Sequence, residues 1–344
     1  MLPKLSYVLL SHNRERYIRS AVENALQQDY DGELEYIISD DCSTDRTFEI
    51  IRETVAAYRG DRRVVVTQTP KNLHLAGNTN HALQFVTGDW IVRADDDDYS
   101  SRDRCQVIAN AVLAYPDAAA IATGVRNFRT EEEDEIRRLS SEPSSPSRVE
   151  TIDIFRGDRG PAAFSRPLSH KAWSRRIFRT FGDLPLQGYY IDDLTCYFRS
   201  LLLGRHVALP EACCVFARDD GSNMSRGESG STRGYRGILT YERFLVKYYS
   251  MTAPLLAAQI EDYRRYVLDH LPEECQSNAE QYLSDLQLEV DQRRRDAARW
   301  EKTTWQRFRE LLGSEHKDAF SLLRCLPLHA YAALAGAYRR LAGK

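Results

Sequence analysis

The chain has 344 residues, enough for one sizeable α/β domain and an accessory region. A net charge of −3 and an isoelectric point near 6.3 exclude a strongly basic nucleic-acid binder as a class, and we expect no nucleic-acid partner. Charge is uneven, because residues 291–344 contain 12 Lys or Arg and 6 Asp or Glu and leave the rest of the chain at −9. A basic tail on an acidic body indicates an anionic surface near the tail, either membrane or polysaccharide.

Cysteine use and the N-terminal segment both bear on the cellular compartment. The seven cysteines are odd in number and form no CxxC pair, which is typical of reduced cytoplasmic thiols. The apolar run Tyr7–Leu10 is too short for a signal peptide, and no segment reaches the roughly 18 apolar residues of a spanning helix. We therefore expect a cytoplasmic protein, peripheral on the inner face of the cell membrane if its tail contacts lipid.

Short apolar segments alternate with segments of helical periodicity along residues 5–123. The predicted strands are 5–10, 34–39, 63–68, 89–93 and 118–123. The predicted helices are 15–28, 44–58, 78–86 and 102–115. This alternation predicts an α/β fold with a doubly wound, mostly parallel sheet flanked by helices. Ligands bind such sheets beyond the carboxyl ends of the strands, so polar residues at those ends are the first candidates for a site.

The pattern changes after residue 130. Residues 131–147 are acidic and then rich in Ser and Pro, which predicts a mobile loop. Residues 150–225 mix short strands and turns, and from Tyr235 onward the pattern is helical with few Gly or Pro. We therefore expect a helical C-terminal region after the sheet.

The first candidate cluster, Asp40 to Asp45, directly follows a predicted strand. Helix capping is one interpretation, since Asp, Ser and Thr favour the N-cap position. Capping accounts for Ser43, Thr44 and Asp45 but poorly for the adjacent carboxylates of Asp40 and Asp41. A carboxylate at this place can also accept a hydrogen bond from a nucleobase, so both interpretations stand at this point.

The second cluster, Asp95 to Asp98, directly follows the predicted strand 89–93. Four adjacent carboxylates repel one another at neutral pH. Mg²⁺ and Mn²⁺ bind oxygen ligands, often one or two carboxylates together with substrate phosphates. An acidic surface loop is the alternative, but the position at a strand end favours a cation site.

Two further carboxylate groups lie later in the chain. Asp192 and Asp193 open an apolar helix, where the helix dipole alone would favour negative charge and where a general base is the functional alternative. Asp220 lies in a segment rich in Gly and Ser, which predicts either an ordinary turn or a further metal ligand.

Three segments taken in order resemble the inverting family 2 glycosyltransferases with the GT-A fold, of the type that makes bacterial polysaccharides and cell-surface glycans. Residues 6–51 are similar to the family's opening strand, Asn-containing turn and Asp-Asp-x-Ser-x-Asp motif. Residues 72–100 are similar to its Asn-rich helix, strand and DxDD metal motif. Residues 189–225 are similar to its Asp-Asp catalytic motif and the following Arg-x-His-x-x-Ser loop. The resemblance covers about residues 4–225.

The resemblance implies a division of the chain. Residues 1–232 would form the GT-A catalytic domain, with 1–100 binding the nucleotide-sugar and 101–232 on the acceptor side. Residues 233–344 would form a C-terminal helical region for homo-oligomerisation or membrane-surface contact. Within it, residues 320–343 are apolar with flanking arginines and interrupted by Pro327, which fits either an interfacial membrane helix or a buried amphipathic helix.

The resemblance also assigns donor-binding roles. Asp41 would contact the nucleotide base, with Ser11 and Asn13 lining the same pocket. Asp95 would approach the ribose, and Asp96 beside it would bind the donor or be structural. Mn²⁺ or Mg²⁺ is the implied cofactor.

The remaining implied roles are metal binding and catalysis. Asp97 would be the main metal ligand bridging to the diphosphate, with Asp98 supporting it. Asp220 would stand where many relatives carry a histidine that reaches the metal. Asp193 would be the general base that deprotonates the acceptor hydroxyl.

Relatives often carry Gly at the position of His74 and Arg at the position of Asn78, which questions a phosphate contact from that segment. The basic segment 159–178, which contains Trp173, is the implied acceptor side, although a solvated basic loop explains it equally well.

The resemblance predicts a metal-dependent inverting transferase that moves a sugar from a nucleotide-sugar to a hydroxyl of a glycan or lipid-linked saccharide. UDP is the expected nucleotide, with dTDP and GDP open. A nucleotidyltransferase is an alternative, but it needs a Gly-rich phosphate loop and residues 10–20 contain no Gly. An inactive nucleotide-sugar-binding or scaffold protein is another, and it predicts loss of the metal or base aspartates, none of which is lost.

Overall fold

The computed structural model describes residues 1–144, 148–153, 171–186, 191–219, 234–268, 271–313 and 322–341. The backbone divides into two compact units. One comprises Met1–Asp219 and Glu261–Tyr282, and the other comprises Asp220–Ile260 and Leu283–Lys344. The domain boundary at residue 232 stays a prediction.

The first unit is built on a mixed sheet. Its strands are β1 Leu5–Ser11, β2 Leu34–Asp40, β3 Val64–Gln68, β4 Trp90–Asp95, β5 Tyr99–Ser100, β6 Ala118–Phe128, β7 Glu150–Ile152, β8 Lys171–Ser174 and β9 Arg205–Arg218. Its helices are α1 Ile18–Ala25, α2 Thr47–Ala56, α3 His74–Leu83, α4 Arg104–Ala114, α5 Glu133–Leu139, α6 Arg176–Phe181 and α7 Ile191–Leu203.

The strand order is β3-β2-β1-β4-β8-β6-β9-β5, with β7 beside β9. Strands β1 to β4 pair in parallel, and β6 also runs parallel to β9. Strand β8 is antiparallel to both β4 and β6, and β5 and β7 are antiparallel to β9. The predicted fold class, a mostly parallel sheet flanked by helices and followed by C-terminal helices, is confirmed.

Strand β1 shows why the sheet is covered on both sides. All seven of its residues are buried. Successive side chains of a strand point to opposite faces, and Leu9 packs into one apolar cluster with α1 and α4 while Val8 packs into another with α3. Burial on both faces is typical of parallel strands that lie between helices.

Part of the segment predicted as a mobile loop differs from its prediction, since residues 133–139 form helix α5. Ile136 is fully buried and packs with Tyr99 and Phe128. The pair Glu133–Arg137 lies four residues apart along the helix, and Arg138 pairs with Glu142 just beyond its end. The acidic composition that suggested a loop therefore belongs to a helix anchored by one apolar side chain.

The C-terminal helices are α8 Gly234–Tyr266, α9 Gln276–Ala297, α10 Thr304–Leu312 and α11 Leu328–Leu341. Within the described part of the chain, no helix combines the length and hydropathy needed to cross a membrane. In α11, Tyr331, Ala332 and Ala335 are fully buried and pack with Trp300 and Leu323 of the same unit. This part of α11 is thus covered by protein, while membrane contact by the tail stays a prediction.

Candidate functional site

The carboxyl ends of β1, β2 and β4 meet at one edge of the sheet. Ser11 at the end of β1 is paired with Asp40 at the end of β2. On the other side of β1, Leu10 is paired with Asp95 at the end of β4. The fold therefore places two turns side by side, which we call the first aspartate turn (Asp40–Asp45) and the second aspartate turn (Asp95–Asp98).

Asp40 is fully buried and holds the first aspartate turn together. Its carboxylate accepts hydrogen bonds from the backbone N–H of Ser43 at 2.9 Å and from Gln68 Nε2 at 2.8 Å. The Ser43 hydroxyl donates a third bond at 2.5 Å. Carboxylates that accept several such bonds are well satisfied when buried, so Asp40 acts structurally.

Asp41 has a different arrangement. It is 3% exposed, and its Oδ1 accepts bonds from Thr69 Oγ1 and from the backbone N–H of Leu73, both at 2.8 Å. Its backbone N–H donates to the carbonyl of Ser11 at 2.8 Å. Among the described residues, every side-chain hydrogen bond of Asp41 uses Oδ1. Oδ2 is thus the oxygen left to accept an N–H from a ligand.

His12 and Asn72, which the sequence reasoning missed, support this turn. The His12 Nδ1 lies 2.8 Å from the carbonyl of Asp41, and its Nε2 lies 3.1 Å from Asn13 Nδ2 and 3.0 Å from Asn72 Nδ2. Because amide nitrogens only donate, Nε2 accepts and Nδ1 carries the proton. Asn13 Oδ1 accepts from the backbone N–H of Thr44 at 2.8 Å. Both ends of the Asn13 amide are therefore engaged within the protein.

Backbone strain is concentrated beside the first aspartate turn. Asn13, Cys42 and His74 have φ values of 53°, 53° and 59°, in the left-handed region. Such conformations in non-glycine residues cost on the order of 1–3 kcal/mol and persist where the surroundings fix them. Glycine adopts such a conformation without a Cβ clash, which agrees with the expectation of Gly at the position of His74 that the resemblance gives.

Asn78, where the resemblance leads one to expect Arg, is bonded to Ser39 near the end of β2. It is 2% exposed, its Nδ2 donates to the carbonyl of Ser39 at 3.1 Å, and its Oδ1 accepts from the Ser39 hydroxyl at 2.5 Å. The side chain therefore fastens α3 to β2.

In the second aspartate turn the partners are cations and backbone donors. Asp95 Oδ1 lies 3.0 Å from Arg93 Nη2. Asp96 Oδ2 accepts from the backbone N–H of His12 at 3.0 Å. Arg14 Nε lies 3.5 Å from Asp96 Oδ1 and 3.6 Å from Asp97 Oδ2, so one guanidinium is shared between two carboxylates.

Two carboxylates of this turn, those of Asp96 and Asp98, have raised pKa values. Burial and then the charge of Asp97 raise the pKa of Asp96 to about 7, although Arg14, Ser11 and His12 act in the opposite direction. Burial, followed by the charges of Asp95 and Asp97, raises the pKa of Asp98 well above its usual range. The turn therefore concentrates negative charge that a divalent cation would stabilise.

The donor set fits a cation that is completed by substrate. Among the described residues, no three His, Cys, Asp or Glu side chains are grouped as a metal site. Mg²⁺ and Mn²⁺ often take only one or two carboxylates and complete their shell with phosphate oxygens and water. Two carboxylates of the second aspartate turn are therefore sufficient protein ligands.

Arg218 is a further residue that the sequence reasoning missed. It is 1% exposed, its backbone N–H donates to Asp98 Oδ1 at 2.8 Å, and its Nε donates to the carbonyl of Asp97 at 3.0 Å. Its guanidinium lies over the rings of Tyr17 and Phe128 at 4.4 and 4.7 Å. In the sequence, Arg218 could have been identified by its position as the first residue of the Arg-x-His-x-x-Ser loop.

The remaining predicted residues belong to the acceptor side. Asp193 lies in the first turn of α7, but its side chain is outside the described residues. Asp220 and residues 154–170 are likewise outside them. Trp173 is 2% exposed and packs against His206, so its ring is buried in the described structure.

Among proteins of known sequence, the chain is similar to the putative glycosyltransferase EpsE of Bacillus subtilis, with 33% identity over 126 residues, 37% of this chain and 44% of that protein. It is also similar to the poly(ribitol-phosphate) beta-N-acetylglucosaminyltransferase TarS of Staphylococcus aureus, with 31% identity over 102 residues, 29% of this chain and 17% of that one. The matched segments span less than half the length of these relatives.

Solved structures share the fold. TarS residues 1–349 from S. aureus in complex with UDP-GlcNAc has a TM-score of 0.54 at 17% identity, covering 98% of this chain and 92% of that one. The mannosyltransferase PcManGT from Pyrobaculum calidifontis, in complex with GDP-Man and Mn²⁺, has a TM-score of 0.52 at 18% identity, covering 100% and 88%. The family model for glycosyl transferase family 2 matches residues 6–180, just over half of the chain. The chain therefore belongs to glycosyl transferase family 2 and has the GT-A fold.

Proposed function

We propose that this chain transfers a sugar from a UDP-sugar to a hydroxyl group of a glycan or lipid-linked saccharide, with inversion and with Mn²⁺ or Mg²⁺ as cofactor. The observation that carries the proposal is the junction of the two aspartate turns at His12. The ring of His12 contacts the carbonyl of Asp41 at 2.8 Å, and its backbone N–H donates to Asp96 at 3.0 Å. A base-recognition carboxylate and a cation-binding turn are thus fixed relative to each other, as a nucleoside diphosphate requires.

The first aspartate turn would bind the nucleoside. Asp41 Oδ2 is positioned to accept an N–H from the base, because Thr69 and Leu73 hold Oδ1. Uracil offers one such N–H, and guanine also carries N–H groups. TarS has been solved with UDP and with UDP-GlcNAc, which supports UDP as the first choice here.

The second aspartate turn would bind the diphosphate through the cation, with Asp97 and Asp98 as protein ligands and Asp220 as a further proposed ligand. When bound, the cation stabilises negative charge on the leaving diphosphate. Arg14 lies 3.6 Å from Asp97 and balances part of the charge of the turn. Asp95, beside them, would approach the ribose.

Asp193, in the first turn of α7, would remove the proton of the acceptor hydroxyl. The hydroxyl oxygen attacks the anomeric carbon from the face opposite the diphosphate, the bond to the diphosphate breaks, and the anomeric centre inverts. A general base typically raises the reaction rate by about 10²–10⁴-fold. We expect Asp193→Asn to lose activity in this range while UDP affinity is unchanged, with Asp192→Asn as the matched control. Full activity of Asp193→Asn would exclude Asp193 as the base.

The donor class can be measured directly by thermal unfolding with UDP-, GDP- and dTDP-sugars, each with and without Mn²⁺. A ligand that binds the folded state raises the unfolding temperature by mass action. We expect the largest rise with a UDP-sugar and Mn²⁺ together. If none of the sugar nucleotides raises the unfolding temperature, the proposed function is contradicted. If one of them does, product analysis separates transfer of the sugar from binding without reaction.

A further inference from the structure

One buried cation supports the second aspartate turn from the side of β9. Arg218 is 1% exposed and contacts two successive residues of the turn, through Nε to the carbonyl of Asp97 and through its backbone N–H to the carboxylate of Asp98. We propose that Arg218 and Glu133 form a positioning pair that fixes Asp97 and Asp98 for cation-dependent binding of the donor. The proposal rests on the proposed function and assigns helix α5 a part in it.

The pair itself is close and largely removed from water. Arg218 Nη1 lies 3.0 Å from Glu133 Oε2, and the two side chains are 0% and 23% exposed. Glu133 Oε1 accepts from Tyr99 Oη at 2.6 Å and from Arg137 Nη2 at 3.0 Å. Both oxygens of Glu133 are therefore bonded, and the carboxylate cannot rotate without losing a partner.

Glu133 remains charged in this place. Burial pushes its pKa upward, but hydrogen bonds from Tyr99 and Arg137 and the charge of Arg218 outweigh it, and the pKa lies below its usual value. Tyr17 and Phe128 place their rings against the guanidinium of Arg218, at 4.4 and 4.7 Å. Electrostatic attraction is stronger in such a low-dielectric setting than at the surface.

The same guanidinium therefore bonds to Glu133 on one side and to the Asp97 carbonyl on the other. Without the charge of Glu133, Arg218 would be a buried cation lacking its acidic partner on α5, and its orientation toward Asp97 would loosen. Displacement of a supporting group by a fraction of an ångström is enough to weaken a preorganised site. The predicted defect is in the cation-dependent part of donor binding.

Helix α5 offers a matched control. Glu135, two residues after Glu133, pairs with Arg126 at 3.0 Å, and both side chains are exposed, at 49% and 43%. This pair connects α5 to β6 but contacts neither aspartate turn in the described structure. If the acidic residues of α5 served only to hold the helix, Glu133→Gln and Glu135→Gln would have similar effects on donor binding.

The experiment measures the dissociation constant of UDP by calorimetry, with Mn²⁺ and with EDTA, for the wild type, Glu133→Gln, Arg218→Lys and Glu135→Gln. We expect the first two variants to weaken UDP binding about tenfold with Mn²⁺ and less than about twofold with EDTA. Glu135→Gln should match the wild type in both. Arg218→Lys keeps the charge but lacks the planar fork that joins two acceptors. Glu133→Gln is isosteric and serves alone if Arg218→Lys does not fold.

Two outcomes overturn the inference while the proposed function stands. One is equal Mn²⁺-dependent affinity in Glu133→Gln and the wild type. The other is a similar loss with Mn²⁺ and with EDTA, which would indicate general destabilisation. A wild type that binds UDP under neither condition overturns the proposed function and the positioning role with it. Electron paramagnetic resonance of free Mn²⁺ with saturating UDP gives an independent measure of the ion bound by each variant.

Discussion

The two aspartate turns end strands on either side of β1, yet their carboxylates are held in contrasting ways. In the first turn, Asp40 and Asp41 are 0% and 3% exposed and are bonded by hydroxyl, amide and backbone donors, all neutral. In the second turn, Asp96 and Asp97 share the guanidinium of Arg14. The first turn has only neutral hydrogen-bond partners and leaves Asp41 Oδ2 for a ligand, whereas the second carries excess negative charge.

The backbone conformations also differ between the two turns. Among the described residues, every non-glycine residue with positive φ lies beside the first turn, namely Asn13, Cys42 and His74. A buried, strained turn whose hydrogen-bond partners are neutral suits recognition by shape and hydrogen bonds. A charged turn with ordinary backbone suits a ligand that brings its own cation. Because the two turns differ in this way, mutations should separate nucleotide recognition from cation dependence.

The largest expected effect comes from the second turn. Asp97→Asn should lower transferase kcat/KM by about 10²–10³-fold, the range for loss of one preorganised electrostatic group. UDP affinity measured with EDTA should be nearly unchanged. The control is Asp117→Asn, an exposed carboxylate paired with Arg205. The measurement is the initial rate over a Mn²⁺ titration. If Mn²⁺ activates Asp97→Asn as strongly as the wild type, cation dependence does not come from the second aspartate turn as proposed.

Any comparison of the two turns at different pH values must account for the pH dependence of folding stability. Burial and then the charge of Lys171 hold the pKa of His206 well below its usual value, so the folded protein keeps this ring neutral. The unfolded chain takes up a proton below about pH 6.5. Stability from His206 is therefore present above that pH and is lost as the pH falls.

Between about pH 7.5 and 5.5, this group alone should lower the free energy of unfolding by about 1.4 kcal/mol. His206→Gln, which can keep a hydrogen bond to Ser200, should show a correspondingly shallower decline. Urea unfolding of both proteins at the two pH values is the measurement. Parallel declines would show that His206 is protonated in the folded state.

In the first turn, the corresponding test is Thr69→Val. The change keeps the shape of the side chain and removes the hydroxyl that donates to Asp41. Loss of one such bond is worth about 1 kcal/mol, so UDP should bind about fivefold more weakly. The loss should be equal with Mn²⁺ and with EDTA. Thr67→Val, which removes a hydroxyl bonded to His81, is the control, and a loss confined to the Mn²⁺ condition would contradict the division.

The smallest effect concerns strain. His74→Gly should raise the free energy of unfolding by about 0.5–1 kcal/mol, because glycine adopts positive φ without a Cβ clash. Ala76→Gly, in the same helix, should lower it by about 1 kcal/mol. Thermal or urea unfolding measures both, and destabilisation by His74→Gly would show that the side chain contributes more than the strained backbone costs.

Local pattern was sufficient to predict the parallel strands that carry the two aspartate turns. The run at 5–10 predicts β1, observed at Leu5–Ser11, and the run at 34–39 predicts β2, observed at Leu34–Asp40. Both strands are apolar and buried on both faces, so composition alone identifies them. Because β1, β2 and β4 are parallel, their ends also bring Asp41 and Asp95 to one edge.

Contacts between distant parts of the chain could not be predicted in this way. Helix α5 depends on Ile136 packing against Phe216 and on Glu133 meeting Arg218, and nothing in residues 131–147 indicates those partners. Likewise, the contact of the Asn13 amide with the neighbouring His12 could not be predicted from the sequence. The roles of Asn13 and of the other predicted site residues stay predictions.

The two aspartate turns also differ in how far apart along the chain their hydrogen-bond partners lie, which affects when each turn can form during synthesis. The hydrogen-bond partners of Asp40 and Asp41 all lie within the first 73 residues. The bond between Asp98 and Arg218 joins residues 120 positions apart. Since a protein emerges from the ribosome N-terminus first, the recognition side can assemble early, while Asp98 lacks its bond from Arg218 until β9 has been synthesised.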